Sequence, residues 1–173
     1  MEEKKRKKIL LLGYGNPARG DDGLGPALAG AVADRRIPGV RVETGFQLAL
    51  EDVLDMAEHD VVIFADAALE GPEPFFFQPQ EDEAGTETFT THSFRPGSLV
   101  ALAGELFASR PAAWVLGIRG YDFEMFREEL TPQAEQNLAA ALRFLVPLLE
   151  EGDFEAVGPV RGSARETPKG ETK

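Results

Sequence analysis

The 173-residue chain contains no cysteine, two histidines and one tryptophan. The lack of cysteine excludes disulfides, thiolate nucleophiles and thiolate metal ligands, so any bound metal ion must be held by oxygen and imidazole. Basic residues are also scarce, since 18 Lys and Arg stand against 30 Asp and Glu and give a formal net charge of -12. Proteins that bind nucleic acid need clustered positive charge. Nucleic acid is therefore not an expected partner.

Long hydrophobic runs are missing as well. The apolar runs ILLL and VVIFADAAL are far shorter than the roughly 20 residues that a membrane-spanning helix requires. The basic start MEEKKRKK is not followed by the apolar segment and cleavage site of a signal peptide. We therefore expect a cytoplasmic protein that makes no membrane contact, and we expect it to be a monomer.

Short apolar runs alternate with longer amphipathic segments through most of the chain. The runs predict strands at residues 9–12, 40–44, 60–67, 74–80 (an edge strand) and 112–118, and the segments predict helices at 23–36, 48–59, 96–108 and 131–151. This alternation is typical of an α/β fold with three layers, in which a twisted, mostly parallel sheet of about five strands lies between helices. We assign residues 1–150 to this single domain and expect residues 151–173 to be a disordered polar tail. Pro147 lies within the last helical segment and predicts a kink or an early end there.

A glycine-rich stretch, GYGNPARGDDGLG, follows directly on the first predicted strand at residues 13–25. Its G-x-G-x-x-A spacing from Gly13 to Ala18, with Glu43 at the end of the second strand, matches a dinucleotide-binding turn. Pro17, however, lacks the N–H that a phosphate needs, and two carboxylates at a helix start repel phosphate. Dinucleotide binding is therefore a minor alternative.

The chemistry of the stretch lies in its adjacent carboxylates, Asp21 and Asp22. One of them is expected to cap the following helix, which leaves the other for a different role. Asp66 ends an apolar strand, where open α/β sheets bind ligands, although capping of a turn is an alternative for it. If the helix after His92 returns to the same edge, Asp22, Asp66 and His92 form an oxygen and nitrogen set that suits zinc, nickel or manganese. Spacing alone does not show that the three residues meet.

These motifs resemble one known family. The segment LLGYGNPARGDDGLG (residues 11–25) resembles the L-x-G-x-G-N-x-x-x-x-D-(D/E)-x-x-G signature of the hydrogenase maturation proteases. These endopeptidases trim the C-terminus of the large subunit of nickel-iron hydrogenases. The resemblance continues through VVIFADA, THSFRPGSLVALAGELF and GIRGYDFEMFREELTP, and it extends over roughly residues 8–150.

The resemblance implies a function for the same residues. Asp22, Asp66 and His92 correspond to the metal-binding site with which the family senses nickel in its partner, the large-subunit precursor, before a short C-terminal peptide is removed. Asp22 is a shorter side chain than the Glu often found at its position. Two chemistries stay open: a metal-activated water, or a metal that only positions the precursor while a carboxylate such as Asp21 acts as the base. Whether the resting enzyme binds a divalent metal is also open, and a non-catalytic assembly partner is the alternative function.

Overall fold

The computed structural model describes residues 4–82 and 94–162. In this part of the chain, the strands are β1 (Ile9–Tyr14), β2 (Val40–Gly45), β3 (Val61–Ala68), β4 (Phe75–Pro79), β5 (Ala112–Arg119) and β6 (Val160–Arg161). The helices are α1 (Leu24–Asp34), α2 (Asp52–Ala57), α3 (Pro96–Phe107) and α4 (Pro132–Glu151), and a 3-10 turn covers Gly20–Gly23. No described helix is both long and apolar enough to span a membrane.

All six strands form one sheet in the order β2-β1-β3-β5-β4-β6. β1, β2, β3 and β5 are parallel, whereas β4 runs antiparallel to β5, and β6 runs antiparallel to β4. The first five residues of both β1 and β3 are buried, as expected for inner strands covered by helices on both faces. The predicted mostly parallel α/β sheet is thus confirmed, with a short sixth strand in addition. We call the edge at which the four parallel strands end the carboxyl edge.

Alternate residues of the inner strands supply two separate cores. Leu11 and Ile63 point to one face, where they pack with α1 and α4, while Leu10 and Phe64 point to the other face, where they pack with α2 and α3. Tyr14, the last residue of β1, is half-buried and packs against the second core. The carboxyl edge is therefore held from both sides by packed helices.

Two helices differ from the sequence prediction. α4 continues through Pro147 to Glu151, so the predicted early end is wrong. The helix tolerates Pro147 because this residue and Arg143, whose carbonyl loses its N–H partner, both lie on the exposed face where water satisfies the carbonyl. α2 is shorter than predicted, since the Asp52 carboxylate accepts a hydrogen bond from the Ala49 N–H at 2.8 Å and the helix starts only there.

The packed domain extends beyond residue 150. Phe154 is 3% exposed, and Val160 and Arg161 pair with β4, which is consequently not an edge strand along its whole length. The prediction of a disordered tail is therefore wrong for residues 151–162. The prediction failed because Gly152, with φ of +69°, reverses the chain after α4, so that Phe154 packs into the core. Residues 163–173 of that predicted tail lie outside the described residues.

Candidate active site

In the turn between β1 and α1, the backbone N–H groups already donate hydrogen bonds to oxygen atoms of the protein. The N–H groups that donate to carbonyl or carboxylate oxygens of the protein are those of Gly15, Asn16, Ala18, Arg19, Gly20, Asp21 and Asp22. Pro17, the one remaining residue of this run, has no N–H to donate. A phosphate-binding turn needs several free N–H groups. In addition, Glu43 is paired with Arg41 at 2.9 Å. This geometry argues against the dinucleotide alternative.

Glycines let the turn approach the strands closely. Gly15 has φ of +143°, and a Cβ atom there would collide with the carbonyl oxygen of Asp22. A Cβ atom at Gly25 would collide with the carbonyl oxygens of Tyr14, at the end of β1, and of Ala65, within β3. These two glycines therefore allow α1 to start directly against both strands, which brings the acidic turn to the carboxyl edge.

Asp22 is half-buried and is oriented by this turn. Its Oδ2 accepts a hydrogen bond from the Asn16 N–H at 2.8 Å, and Asn16 Oδ1 in turn accepts one from the Ala18 N–H at 3.0 Å. Asn16 thus serves the turn itself. The expectation that one aspartate of the pair caps the following helix is wrong, because the N-cap of α1 is Gly23, which has no side chain to accept a hydrogen bond from the first turn. Both aspartates lie within the 3-10 turn, Gly20–Gly23, that leads into the helix.

Asp66 lies beside Tyr14 at the carboxyl edge. The register pairs Gly13 of β1 with Ala65 of β3, so the next residues of both strands share the face of the second core. Burial raises the pKa of Asp66 from 3.8 to about 7, and the charge of nearby Asp22 adds to this rise. Hydrogen bonds from the Ala67 N–H, at 2.7 Å, and from the Tyr14 hydroxyl act in the opposite direction. The structure therefore brings Asp22 and Asp66 together.

Tyr14 is a part of this site that the sequence did not reveal. Burial raises its pKa above 10.0, and the charge of Asp66 adds to the effect, so the hydroxyl stays protonated at neutral pH and serves as a donor. Tyr14 occupies a variable position of the signature, and only the register between β1 and β3 shows which residue it faces.

Asp21 has a different environment from its neighbour. Its carboxylate is fully buried and accepts four hydrogen bonds: from the Thr131 N–H at 2.7 Å, the Thr131 hydroxyl at 2.8 Å, the Tyr121 N–H at 2.7 Å and the Asp122 N–H at 3.1 Å. Burial alone would raise its pKa, but these donors outweigh burial and lower the pKa below 3.8. A general base needs an accessible oxygen and a pKa near the working pH. The geometry thus favours a structural role for Asp21, which ties the acidic turn to the segment after β5 and to the start of α4.

His92, the third predicted ligand, lies outside the described residues and stays a prediction. In residues 4–82 and 94–162, no group of three or more Asp, Glu or His side chains is arranged to hold a metal ion. Phe94, the first described residue after the gap, packs against the same core as Tyr14. The described part of the site thus contains two carboxylates and one phenol.

Solved structures share this architecture. The hydrogenase maturating endopeptidase HybD from E. coli superposes with a TM-score of 0.67 and 24% identity over 89% of this chain and 97% of that one. The NiFe hydrogenase maturation protease HycI from Thermococcus kodakarensis KOD1 gives a TM-score of 0.66 and 21% identity over 86% and 95% of the two chains. The hydrogenase 2 maturation peptidase from the Thaumarchaeota archaeon SCGC_AB-539-E09 gives a TM-score of 0.61 and 24% identity over 83% of this chain and 98% of that one.

The chain has the fold of the hydrogenase maturation endopeptidases. At these identities the likeness establishes architecture, and it confirms at that level the resemblance drawn from residues 11–25. No protein-family model and no curated protein sequence matches the chain. Within this fold, the turn that carries the signature is the turn that places Asp22 beside Asp66.

Proposed function

We propose that this protein is an endopeptidase that removes a short C-terminal peptide from the nickel-loaded precursor of a nickel-iron hydrogenase large subunit. The observation that carries the proposal is the pair of carboxylates, Asp22 and Asp66, which meet at the carboxyl edge within a fold shared with solved maturation endopeptidases. Open α/β sheets bind their ligands at this edge.

The charges of the pair support nickel sensing. Two neighbouring carboxylates in a partly buried site repel each other, and this repulsion contributes to the raised pKa of Asp66. A divalent cation would be attracted to both groups and would displace the proton on Asp66. In this proposal the nickel ion belongs to the substrate, and the imidazole of His92 adds the nitrogen ligand that nickel accepts readily.

In this proposal Asp22 and Asp66 share one task and Asp21 has another. Asp22 and Asp66 bind and orient the nickel-loaded end of the precursor, which brings the scissile bond into the crevice. The Tyr14 hydroxyl holds the Asp66 carboxylate, and Asp21 holds the turn. A water molecule that attacks the peptide bond needs a proton acceptor, and of these three acids Asp22 and Asp66 are the accessible ones, since Asp21 is fully buried.

The decisive experiment compares two forms of one substrate. Purified protein is incubated with nickel-loaded and with nickel-free large-subunit precursor, and the intact mass of the precursor is followed over time. We expect C-terminal shortening of the loaded form alone. No shortening would contradict the protease, and binding without shortening would support the non-catalytic assembly partner. Equal shortening of both forms would contradict nickel sensing.

Variants assign the activity to the site. We expect Asp66→Ala and His92→Ala to abolish processing while the thermal unfolding midpoint stays within a few degrees of wild type. The matched control is His59→Ala, since His59 precedes the opposite end of β3 and should process normally. A large loss of thermal stability in Asp66→Ala or His92→Ala would instead indicate that the residue is structural.

A further inference from the structure

Exposed large apolar side chains are unevenly placed on this protein. In residues 4–82 and 94–162 there are eight of them: Phe46, Leu50, Leu54, Leu69, Leu106, Phe107, Met125 and Phe126. Phe46, Leu69 and the pair Met125 and Phe126 each follow the carboxyl end of a parallel strand, namely β2, β3 and β5. Scattered single residues of this kind are normal, but a group that surrounds a candidate site marks an interaction surface.

Leu106 and Phe107 lie at the other end of the sheet. They end α3, and the Ser109 hydroxyl just beyond them donates to the Ala57 carbonyl at the end of α2, 3.1 Å away. Both helix ends precede the starts of β5 and β3, so these residues are far from the carboxyl edge. The chain therefore offers an exposed aromatic residue at each end of the sheet.

Phe126 is the most exposed of the group. Its side chain is 90% exposed, and its φ of +64° lies in the left-handed region, which is unfavourable for an aromatic residue. Hydrogen bonds on the next residue fix this backbone, because the Arg127 N–H donates to the Ala18 carbonyl at 3.1 Å and the Arg127 carbonyl accepts from the Gly20 N–H at 2.6 Å. Strained residues held in this way cluster at binding and catalytic sites.

Ion pairs of Arg127 add to the contacts of the loop that carries Phe126. The Arg127 guanidinium contacts the carboxylates of Asp122 and Glu124, each at 3.2 Å, and the Asp122 N–H is itself bound by Asp21. The ring of Phe126 is thus displayed on a rigid frame. An exposed aromatic on a backbone that is already held loses little backbone entropy on binding, which favours it as an interface hot spot.

This frame is continuous with the candidate active site. Ala18 and Gly20, which hold the Phe126 loop, belong to the turn that carries Asp22. Leu69 lies on the same side, since the preceding residue, Ala68, accepts a hydrogen bond from the Gly120 N–H at 2.9 Å. Leu69, Met125 and Phe126 are thus tied to the segments that carry Asp66 and Asp22, on the side from which a C-terminal segment would approach. We call these three residues the apolar rim.

We infer that the apolar rim, with Phe126 as its anchor, is the docking surface for the folded body of the large-subunit precursor. The inference rests on the proposed function. It adds that the precursor presents an apolar surface next to its C-terminal segment, and that docking there is separate from the contacts made by Asp22 and Asp66.

The test uses Phe126→Ala, with Phe107→Ala as the matched control at the opposite end of the sheet. With nickel-loaded precursor, we expect Phe126→Ala to raise KM by roughly tenfold and to leave kcat unchanged, as for loss of an interface anchor. Phe107→Ala should change neither constant. Phe126→Gly also removes the ring but relieves the backbone strain, so it should show the same KM if the alanine variant folds poorly. An unchanged KM in both Phe126 variants, or an equal rise in Phe107→Ala, would overturn the inference.

Direct binding separates this inference from the proposed activity. The dissociation constant of the precursor complex is measured by calorimetry for wild type and for both Phe126 variants. If wild type binds the precursor but does not cut it, the proposed activity fails, while a tenfold weaker complex in the variants still supports docking at the rim. No measurable complex with wild type would overturn the docking surface. A wild-type dimer in sedimentation that Phe126→Ala dissociates would also overturn it, because a second copy would then occupy the rim.

Discussion

Asp21 lies in the turn after β1 and Asp66 in β3, yet their surroundings shift their pKa values in opposite directions. Both lose water on folding, but Asp21 gains four hydrogen-bond donors, whereas Asp66 gains fewer donors and faces the charge of Asp22. The carboxylate stabilised by donors belongs to the structure, and the one left with a raised pKa belongs to the candidate site.

Asp21→Asn tests the structural role at the residue scale. An amide in this position directs N–H groups at backbone N–H groups, so we expect the free energy of unfolding at pH 7 to fall by about 2–4 kcal/mol. Because folding lowers the pKa of Asp21, its contribution is present above 3.8 and is lost as the pH falls through the folded value. The difference in the free energy of unfolding between the variant and wild type, measured with urea, should therefore become smaller below pH 3.8.

Asp34→Asn is the matched control for this measurement, since Asp34 is exposed at the end of α1. We expect it to change stability by less than about 0.5 kcal/mol. If Asp21→Asn behaves like Asp34→Asn at pH 7, the hydrogen-bonded carboxylate does not hold the turn.

Asp66→Asn should have the opposite effect on stability. The folded carboxyl of Asp66 stays protonated up to about pH 7, whereas the unfolded one ionises near 3.8. Stability therefore falls as the pH rises through this window, and the full cost is present above pH 7. Asparagine cannot ionise, so we expect Asp66→Asn to exceed wild type in stability by on the order of 2 kcal/mol at pH 8 and to approach it at about pH 3. Chemical unfolding at the two pH values measures this, and a variant less stable than wild type at pH 8 would contradict it.

At the scale of elements, the features that depend on local sequence were predicted correctly, whereas those that depend on tertiary contacts were not. The apolar runs predicted β1 and β3, and the helix predicted at 131–151 does begin there, where the Thr131 hydroxyl accepts a hydrogen bond from the Ala134 N–H. Pro147 was misjudged because its effect depends on whether the freed carbonyl faces water. The return of the chain at Gly152 depends on the aromatic cluster that receives Phe154.

The candidate site also has a part that the sequence predicted and a part that depends on tertiary contacts. Asp22 and Asp66 were expected at one edge because strand ends meet there in a parallel sheet, and in the structure the charge of Asp22 contributes to the raised pKa of Asp66. Their role as metal ligands stays a prediction. The partners of Asp21 lie 100 to 110 residues further along the chain, so no local pattern indicates them. The role of His92 stays a prediction.

At the scale of the whole molecule, the two ends of the described chain pack on each other. The Arg6 guanidinium donates to the Glu150 carbonyl at 3.1 Å, and the Lys7 ammonium lies 3.4 Å from the Glu155 carboxylate. These exposed contacts are weak on their own. Phe154, which lies in the chain between Glu150 and Glu155, is buried and adds an aromatic neighbour to Trp114, which stacks on Phe77.

Truncation tests how much residues 152–162 contribute to the domain. We compare a chain that ends at Glu151 with one that ends at Gly162, which keeps β6 and Phe154. Loss of a buried phenylalanine alone costs about 3–5 kcal/mol, so we expect the shorter chain to unfold at a markedly lower urea concentration. Trp114, the one tryptophan of the sequence, reports the transition through its fluorescence. Phe154→Ala in the longer chain should reproduce most of the loss, since β6 contributes two residues of pairing with β4. Equal midpoints for the two chains would show that the domain ends with α4.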